Sequence, residues 1–128
     1  MPPSVPPGMR LELSRARLLP GAQAETERWM QMLHVRYDEC LDTLSRERMA
    51  FEATFRRTDP DGTEWLYHLS LYGEDSAGLD LSNPVDRAHY DFAVRCKEPG
   101  WEELRPVLML APRPVGVVME AWAKDGRV

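Results

Sequence analysis

The fold is decided by residues 48–73, RMAFEATFRRTDPDGTEWLYHLSLYG, which contain two stretches of alternating apolar and polar side chains. Such alternation is typical of half-buried strands. Residues 58–63, which separate the two stretches, are rich in Asp, Pro and Gly, the residues that form tight turns. The sequence therefore predicts a β-hairpin with strands over residues 48–57 and 64–73, paired so that the apolar odd-numbered residues share one face.

Outward from this hairpin, similar patterns predict four further elements. Residues 9–17 alternate as in a strand, and residues 22–47 carry apolar side chains at helical spacing, which predicts one long amphipathic helix. Asn83 is a typical N-cap for a second helix, which begins at Pro84 and ends before Pro99-Gly100. Residues 104–111 contain the run Val107-Leu108-Met109-Leu110 without clear alternation, which indicates a fourth strand covered on both faces.

The order strand, helix, strand, strand, helix, strand predicts an α+β fold of ferredoxin-like βαββαβ type. Its four-stranded antiparallel sheet carries two helices on one face, and we expect that face to be the apolar, odd-numbered one. Residues 1–8 contain four prolines and are predicted to be a flexible tail. The domain spans residues 9–112, and residues 113–128 form a C-terminal extension with a short helix over 117–123.

Composition restricts the class of protein. The 128 residues are 43% hydrophobic and 29% charged, which is typical of one soluble globular domain. No apolar run is long enough to span a membrane, and a net charge of −5 argues against nucleic acid and anionic lipid as partners. Cys40 and Cys96 lie outside any metal-binding spacing, so we expect free thiols in a cytoplasmic protein. Motifs for metals, nucleotides and serine hydrolysis are absent, and no metal or other cofactor is predicted.

The even-numbered face of the sheet holds the candidate catalytic residues. Its mixed polarity fits either a solvated surface or the wall of a cavity enclosed when two sheets face each other. If paired residues of the hairpin sum to 120, Glu52 and His68 lie directly opposite each other. A carboxylate beside an imidazole orients its tautomer and raises its basicity, as general acid–base catalysis requires. The alternative is a structural polar pair or a dimer contact.

Four further side chains on this face are candidate ligand-binding residues. Glu12 and Ser14 of the first strand extend the polar surface beside the pair. Arg10 and Arg56 are suited to bidentate binding of a ligand carboxylate, because a guanidinium presents a matching fork of donors. Arginines of this kind are more often surface or interface residues, and both interpretations stay open.

Four segments carry a resemblance to a known family: LELSRARLLPG, TERWMQML, CLDTLSRERMAFEATFR and EWLYHLSLYG. They resemble a bacterial family of uncharacterised proteins in the dimeric α+β barrel superfamily. That superfamily includes cofactor-free monooxygenases of antibiotic biosynthesis, haem-degrading oxygenases, small isomerases and sugar mutarotases. The resemblance implies a homodimer whose sheets face each other, and it transfers no catalytic residue.

The haem-degrading relatives raise the question of whether His89 binds haem iron. They also have an Asn on the first strand and a Trp on the third. Here the first strand offers Ser14, and Trp65 has the parity of the face predicted to meet the helices. Haem is therefore disfavoured, and His89 is predicted to be a buried residue of the core.

Three functions follow from these observations. The first is a homodimer that binds a small organic molecule between its two sheets. The second is a cofactor-independent monooxygenase or isomerase that uses His68 and Glu52. The third is a structural or protein-interaction domain whose polar sheet face docks another chain.

Overall fold

A computed structural model describes all residues, 1–128, as a mixed α+β protein with one open sheet of four antiparallel strands. The spatial order of the strands is β2-β3-β1-β4. No helix is both long and apolar enough to cross a membrane. In chain order the elements are β1 (Met9–Arg17), α1 (Gln23–Val35), α2 (Tyr37–Arg46), β2 (Met49–Thr58), β3 (Glu64–Gly73), α3 (Pro84–Cys96), β4 (Glu102–Leu104) and α4 (Arg113–Asp125).

The central hairpin forms as predicted, with a register two residues from the one expected. Paired residues of β2 and β3 sum to 122, so that Glu52 lies opposite Ser70 and Thr54 lies opposite His68. A bulge between Met49 and Phe51 shifts the pairing at the start of β2. The prediction that Glu52 and His68 are directly paired is therefore wrong, and the two residues are diagonal neighbours. The alternation in sequence is compatible with either even sum, because both keep the same residues on the same face.

The predicted helix over residues 22–47 is in fact two helices. The backbone leaves the helical conformation at Arg36, with φ −100° and ψ 33°, between α1 and α2. Apolar spacing continues across the break, from Leu33 to Tyr37 to Leu41, which is why the pattern reads as one helix. Tyr37 and Leu41 are exposed, and Cys40 and Leu44 are half-buried, so no side chain of the predicted stripe is fully buried after the break.

The helices α1 and α3 cover the even-numbered face of the sheet, which corrects the predicted odd-numbered one. Leu66 of β3 is buried in a cluster with Trp29 of α1, Cys96 of α3 and Leu18. The prediction rested on the larger number of apolar side chains at odd positions. Alternation tells which residues share a face, but the element that covers the face depends on how the chain crosses over the sheet.

The odd-numbered face receives α4 and the N-terminal segment at one end. Met9 and Leu71 form a buried cluster with Ala123 of α4 and with Val5. Residues 1–8, predicted to be a tail, thus contribute one side chain to the interior. Phe55, predicted to be core, lies at the other end of this face and is exposed.

The C-terminal third departs most from the prediction. The fourth strand covers only Glu102–Leu104, and residues 105–111 follow outside the sheet with exposed apolar side chains. The expected cover on both faces is therefore missing. The predicted short helix over 117–123 is longer: α4 ends at Asp125, and Gly126 caps it in the left-handed conformation, with a φ of 69°. The prolines at 112 and 114, which were predicted to stop the strand, instead lie at the start of this helix.

Candidate functional site

A cleft of about 390 Å³ lies between the even-numbered face of the sheet and the helices α1 and α3. The strands contribute alternate side chains to its floor, and α1 and α3 each contribute an aromatic ring to its wall. The cleft is formed within one chain, because α1 and α3 occupy the face on which the sequence placed a cavity between two sheets. Its polar lining residues are Glu12, Ser14, Glu47, Glu52, Thr54, His68, Ser70, Tyr72, Ser76 and His89.

A larger hollow of about 620 Å³ lies at the N-terminus, beside Arg10, Glu103 and Val107. Its charged side chains include one ion pair, in which Arg10 Nη2 lies 2.5 Å from Glu103 Oε1. No histidine, cysteine or hydroxyl group lines it. The smaller cleft is the candidate site, because it combines concave apolar walls with several titratable groups that converge.

The structure brings Glu52 and His68 together in this cleft despite the shifted register. Glu52 Oε2 and His68 Nε2 are 3.2 Å apart across the diagonal between β2 and β3, within hydrogen-bonding distance. This hydrogen bond holds the pKa of Glu52 below its usual value, although burial opposes the shift. The ring of Trp101 lies 6.1 Å from that of His68, centroid to centroid, at the rim of the cleft. The pair can accept and return a proton at the cleft surface.

His89 is a cleft residue that sequence reasoning assigned to the core alone. The indole N–H of Trp29 donates to His89 Nδ1 at 2.9 Å, which places the proton of the neutral ring on Nε2. Burial lowers the pKa of His89. The hydrogen bond with Trp29 fits the prediction that His89 is a buried histidine with a partner. However, His89 also lines the same cleft as His68. Helical spacing marks His89 as inward-facing, but its place beside the even-numbered side chains depends on which face of the sheet α3 covers.

Glu47 and Tyr72 also line the cleft, and sequence reasoning missed both. Glu47 follows the end of α2 and is buried, which raises its pKa. The hydroxyl of Tyr72 donates to Glu12 Oε2 at 3.3 Å, and burial raises the pKa of Tyr72. Tyr72 has the even parity of His68, which was a usable signal. Glu47 stands outside any strand, so no alternation pattern marks it.

The predicted ligand-binding residues divide into two groups. Glu12 and Ser14 line the cleft, and the buried hydroxyl of Ser14 has no hydrogen-bond partner. Arg10 and Arg56 do not line it. Arg10 is paired with Glu103, and Arg56 lies 3.5 Å from Glu64. Glu103 and Glu64 are acceptors on neighbouring strands, and each is the ion-pair partner of one of these guanidinium groups.

The other residues considered from the sequence lie away from this cleft. Cys40 and Cys96 are free thiols, and burial raises the pKa of each. His34 is exposed on α1. Trp65, which was predicted to face the helices, instead lies under the guanidinium of Arg15 at 3.9 Å. No group of three or more His, Cys, Asp or Glu side chains is placed to hold a metal ion.

Comparison with known proteins gives one family. A model described as a family of unknown function, DUF6176, matches residues 9–117, which span the sheet, the first three helices and the start of α4. No curated protein matches the chain.

Proposed function

The chain belongs to DUF6176, a family of unknown function, and we propose that it binds a small organic molecule in the cleft between its sheet and helices α1 and α3. The observation that carries this proposal is the unpaired, buried hydroxyl of Ser14 in a cleft that also holds the Glu52–His68 pair. Buried polar groups without a partner are rare in folded proteins, and a bound ligand is one way to satisfy them. The volume is within the usual range for small-molecule sites.

Blocking the cleft tests this proposal. Thr54 lines the cleft from β2, so a Thr54→Trp substitution places an indole in it. The matched control is Phe55→Trp, which adds an indole at the next residue, on the opposite and exposed face. We expect fragments detected by ¹H–¹⁵N NMR to shift cleft amides in the wild type and the control but not in the blocked variant. Fragments that bind the blocked variant equally well would refute the proposed site.

A second proposal is that two chains form a homodimer. Residues 105–111, which follow the edge strand β4, support it. Their backbone is almost entirely unpaired: only the N–H of Met109 has a hydrogen-bond partner, the hydroxyl of Ser4. Val107, Leu108 and Leu110 are exposed in this segment. An apolar segment with free backbone groups beside a sheet edge is suited to pairing with another chain.

A wider proposal is a ferredoxin-like fold in the dimeric α+β barrel superfamily. Two observations support it: the strand order is β2-β3-β1-β4, and both β1 and β2 run antiparallel to β3. In such a dimer the odd-numbered face, with exposed Phe55, meets the partner, and each chain keeps its own cleft. Free thiols at Cys40 and Cys96 support a cytoplasmic location as part of the same proposal.

The dimer is tested by light scattering over a dilution series. We expect about twice the 14.7 kDa chain mass for the wild type, and the single-chain mass for Leu110→Glu, because Leu110 is 84% exposed and its replacement does not disturb the core. Val35→Glu is the control, since Val35 is 77% exposed at the end of α1. A monomer at every concentration would contradict the dimer and leave the cleft proposal standing.

The hydrogen bond between Glu52 and His68 favours an enzyme as the alternative function. A proton-transfer isomerisation needs no other reactant: His68 removes a proton from one carbon of the substrate and returns it to another, while Glu52 holds the imidazole in place. A monooxygenase would also need molecular oxygen, with the organic substrate as reductant. For a ligand that is turned over, His68→Gln should lower the rate about 100-fold and leave binding intact.

The protein-interaction alternative changes its location. The polar face proposed for docking another chain is covered by α1 and α3. An interaction role would therefore use the exposed apolar residues of 105–111 and α4, among them Val117 and Val118. A wild type that is monomeric at every concentration in light scattering would favour this role over the dimer.

A further inference from the structure

We infer that the molecule bound in this cleft is a small organic amine, with a cationic nitrogen and an apolar body; the inference rests on the proposed binding function. Three carboxylates reach the cleft from different parts of the chain: Glu12 from β1, Glu47 from the end of α2, and Glu52 from β2. No lysine or arginine lines it. The site therefore offers negative charge to a ligand and repels an anion.

The three carboxylates keep most of their hydrogen-bonding capacity. An ionised carboxylate accepts about four hydrogen bonds. Glu12 receives the Tyr72 hydroxyl at 3.3 Å, and Glu52 is bonded to His68 at 3.2 Å. The nearest cation to Glu47 is Arg46, with its Nη2 3.6 Å from Oε1. An ammonium group has three N–H donors and no acceptor, which suits these oxygens.

The basic side chains nearest the cleft have their strongest partners outside it and offset its negative charge only in part. Arg10 is paired with Glu103, and the guanidinium of Arg46 is held by Asp86. Lys97 Nζ donates to the backbone oxygens of residues 98 and 100, at 3.1 and 3.2 Å. Arg46 also offsets part of the charge of Glu47, whereas Glu12 and Glu52 have no lysine or arginine ion-pair partner and remain available to a ligand.

The buried hydroxyl of Ser14 is an independent indication of a ligand. The residue is 5% exposed, lines the cleft and has no partner for its Oγ. An N–H group of a ligand would donate to Ser14 Oγ and supply the hydrogen bond that this hydroxyl lacks. Apolar walls from Trp29, Met30 and Leu66 then surround the rest of the molecule. Together these groups select a nitrogen donor attached to an apolar body.

Three probes of similar size and different charge test the inference on the full-length protein: 2-phenylethylamine, 2-phenylethanol and 3-phenylpropionate. In NMR titrations at pH 7 we expect the amine to bind about tenfold more tightly than the alcohol, because it makes charge-assisted hydrogen bonds. The anionic probe, 3-phenylpropionate, should not saturate the site. Glu12→Gln and Glu47→Gln should each weaken amine binding about tenfold and leave the alcohol within about twofold. Glu27→Gln is the matched control, because Glu27 is exposed on α1 and lies outside the cleft.

The outcomes separate the inference from the function on which it rests. If 2-phenylethanol or 3-phenylpropionate shifted the NMR signals of the cleft amides with an affinity equal to or higher than that of 2-phenylethylamine, the amine class would be overturned. Binding of a small molecule at this site would still be supported. The absence of cleft shifts with all three probes would count against both. An equal loss of amine affinity in Glu27→Gln would show that only the net charge of the protein matters, which would also overturn the inference.

Discussion

Replacing Gly73 by alanine tests how α4 is held on the sheet. Gly73 ends β3, and a Cβ built there would lie 1.8 Å from the carbonyl oxygen of Ala123 and 3.1 Å from Cβ of Arg48. An ordinary contact needs 3.4 Å, so α4 would have to retreat by about 1.6 Å, the difference between 3.4 and 1.8 Å. Glycine is required here by the close approach of two backbones, since its φ is not positive.

The expected loss of stability follows from what the retreat disturbs. Ala123 is buried against Leu71, and Trp122 Nε1 donates to the backbone oxygen of Met49 at 2.6 Å. Overpacking costs about 1–3 kcal/mol and a lost hydrogen bond about 1 kcal/mol. We therefore expect Gly73→Ala to lower the free energy of unfolding by about 3 kcal/mol, measured by urea denaturation, and to lower Tm by about 10 °C.

Gly116→Ala is the matched control within α4. Nothing lies within 4 Å of a Cβ at Gly116, which stands inside the helix, so alanine should raise stability by about 1 kcal/mol. The reasoning would be refuted if Gly73→Ala unfolded within about 0.5 kcal/mol of the wild type. A gain in both variants would mean that α4 does not lie against β3.

Three further predictions concern the helix ends, a buried ion pair and the cleft. Asn83→Ala should lower the free energy of unfolding by about 1 kcal/mol in urea denaturation, because the Asn83 side chain caps α3 by accepting from two backbone N–H groups. Arg46→Met should cost about 2 kcal/mol in the same assay, since it leaves the buried carboxylate of Asp86 without its cation; retained stability would show that the pair contributes nothing. The lowered pKa of Glu52 contributes stability that is present above its ordinary pKa of 4.5 and is lost as the pH falls through the lower folded value. His68→Ala should remove this contribution and raise the pKa of Glu52, as followed by carboxyl NMR titration; an unchanged pKa would contradict the hydrogen bond.

The candidate site was predictable where it depended on alternation. Residues 12, 14, 52 and 68 share the even-numbered face, and the structure places all four side chains at one cleft. Arg10 and Arg56 have the same parity, but they form ion pairs with Glu103 and Glu64 and do not line the cleft. The first pair joins residues that are distant in sequence, and the second depends on the register between β2 and β3, so no local pattern reveals either.

The sequence by itself determined the elements whose formation depends on neighbouring residues. The hairpin over residues 49–73 follows from alternation and a Pro- and Gly-containing turn, and α3 begins at the Asn83-Pro84 signal. These signals act through the backbone and side chains of a few consecutive residues, so they are visible without tertiary contacts.

Only the tertiary structure decided which face of the sheet the helices cover, and hence where the cleft lies. Leu66 and Ser70 are buried under α1 and α3 although the odd-numbered face carries more apolar side chains, and α4 occupies one end of that other face. Likewise, His89 and Glu47 join Glu52 only when α3 and the end of α2 are placed over the sheet. The physical reason is that a period of two assigns side chains to faces, whereas the choice of cover depends on crossover connections and on packing between segments far apart in the chain.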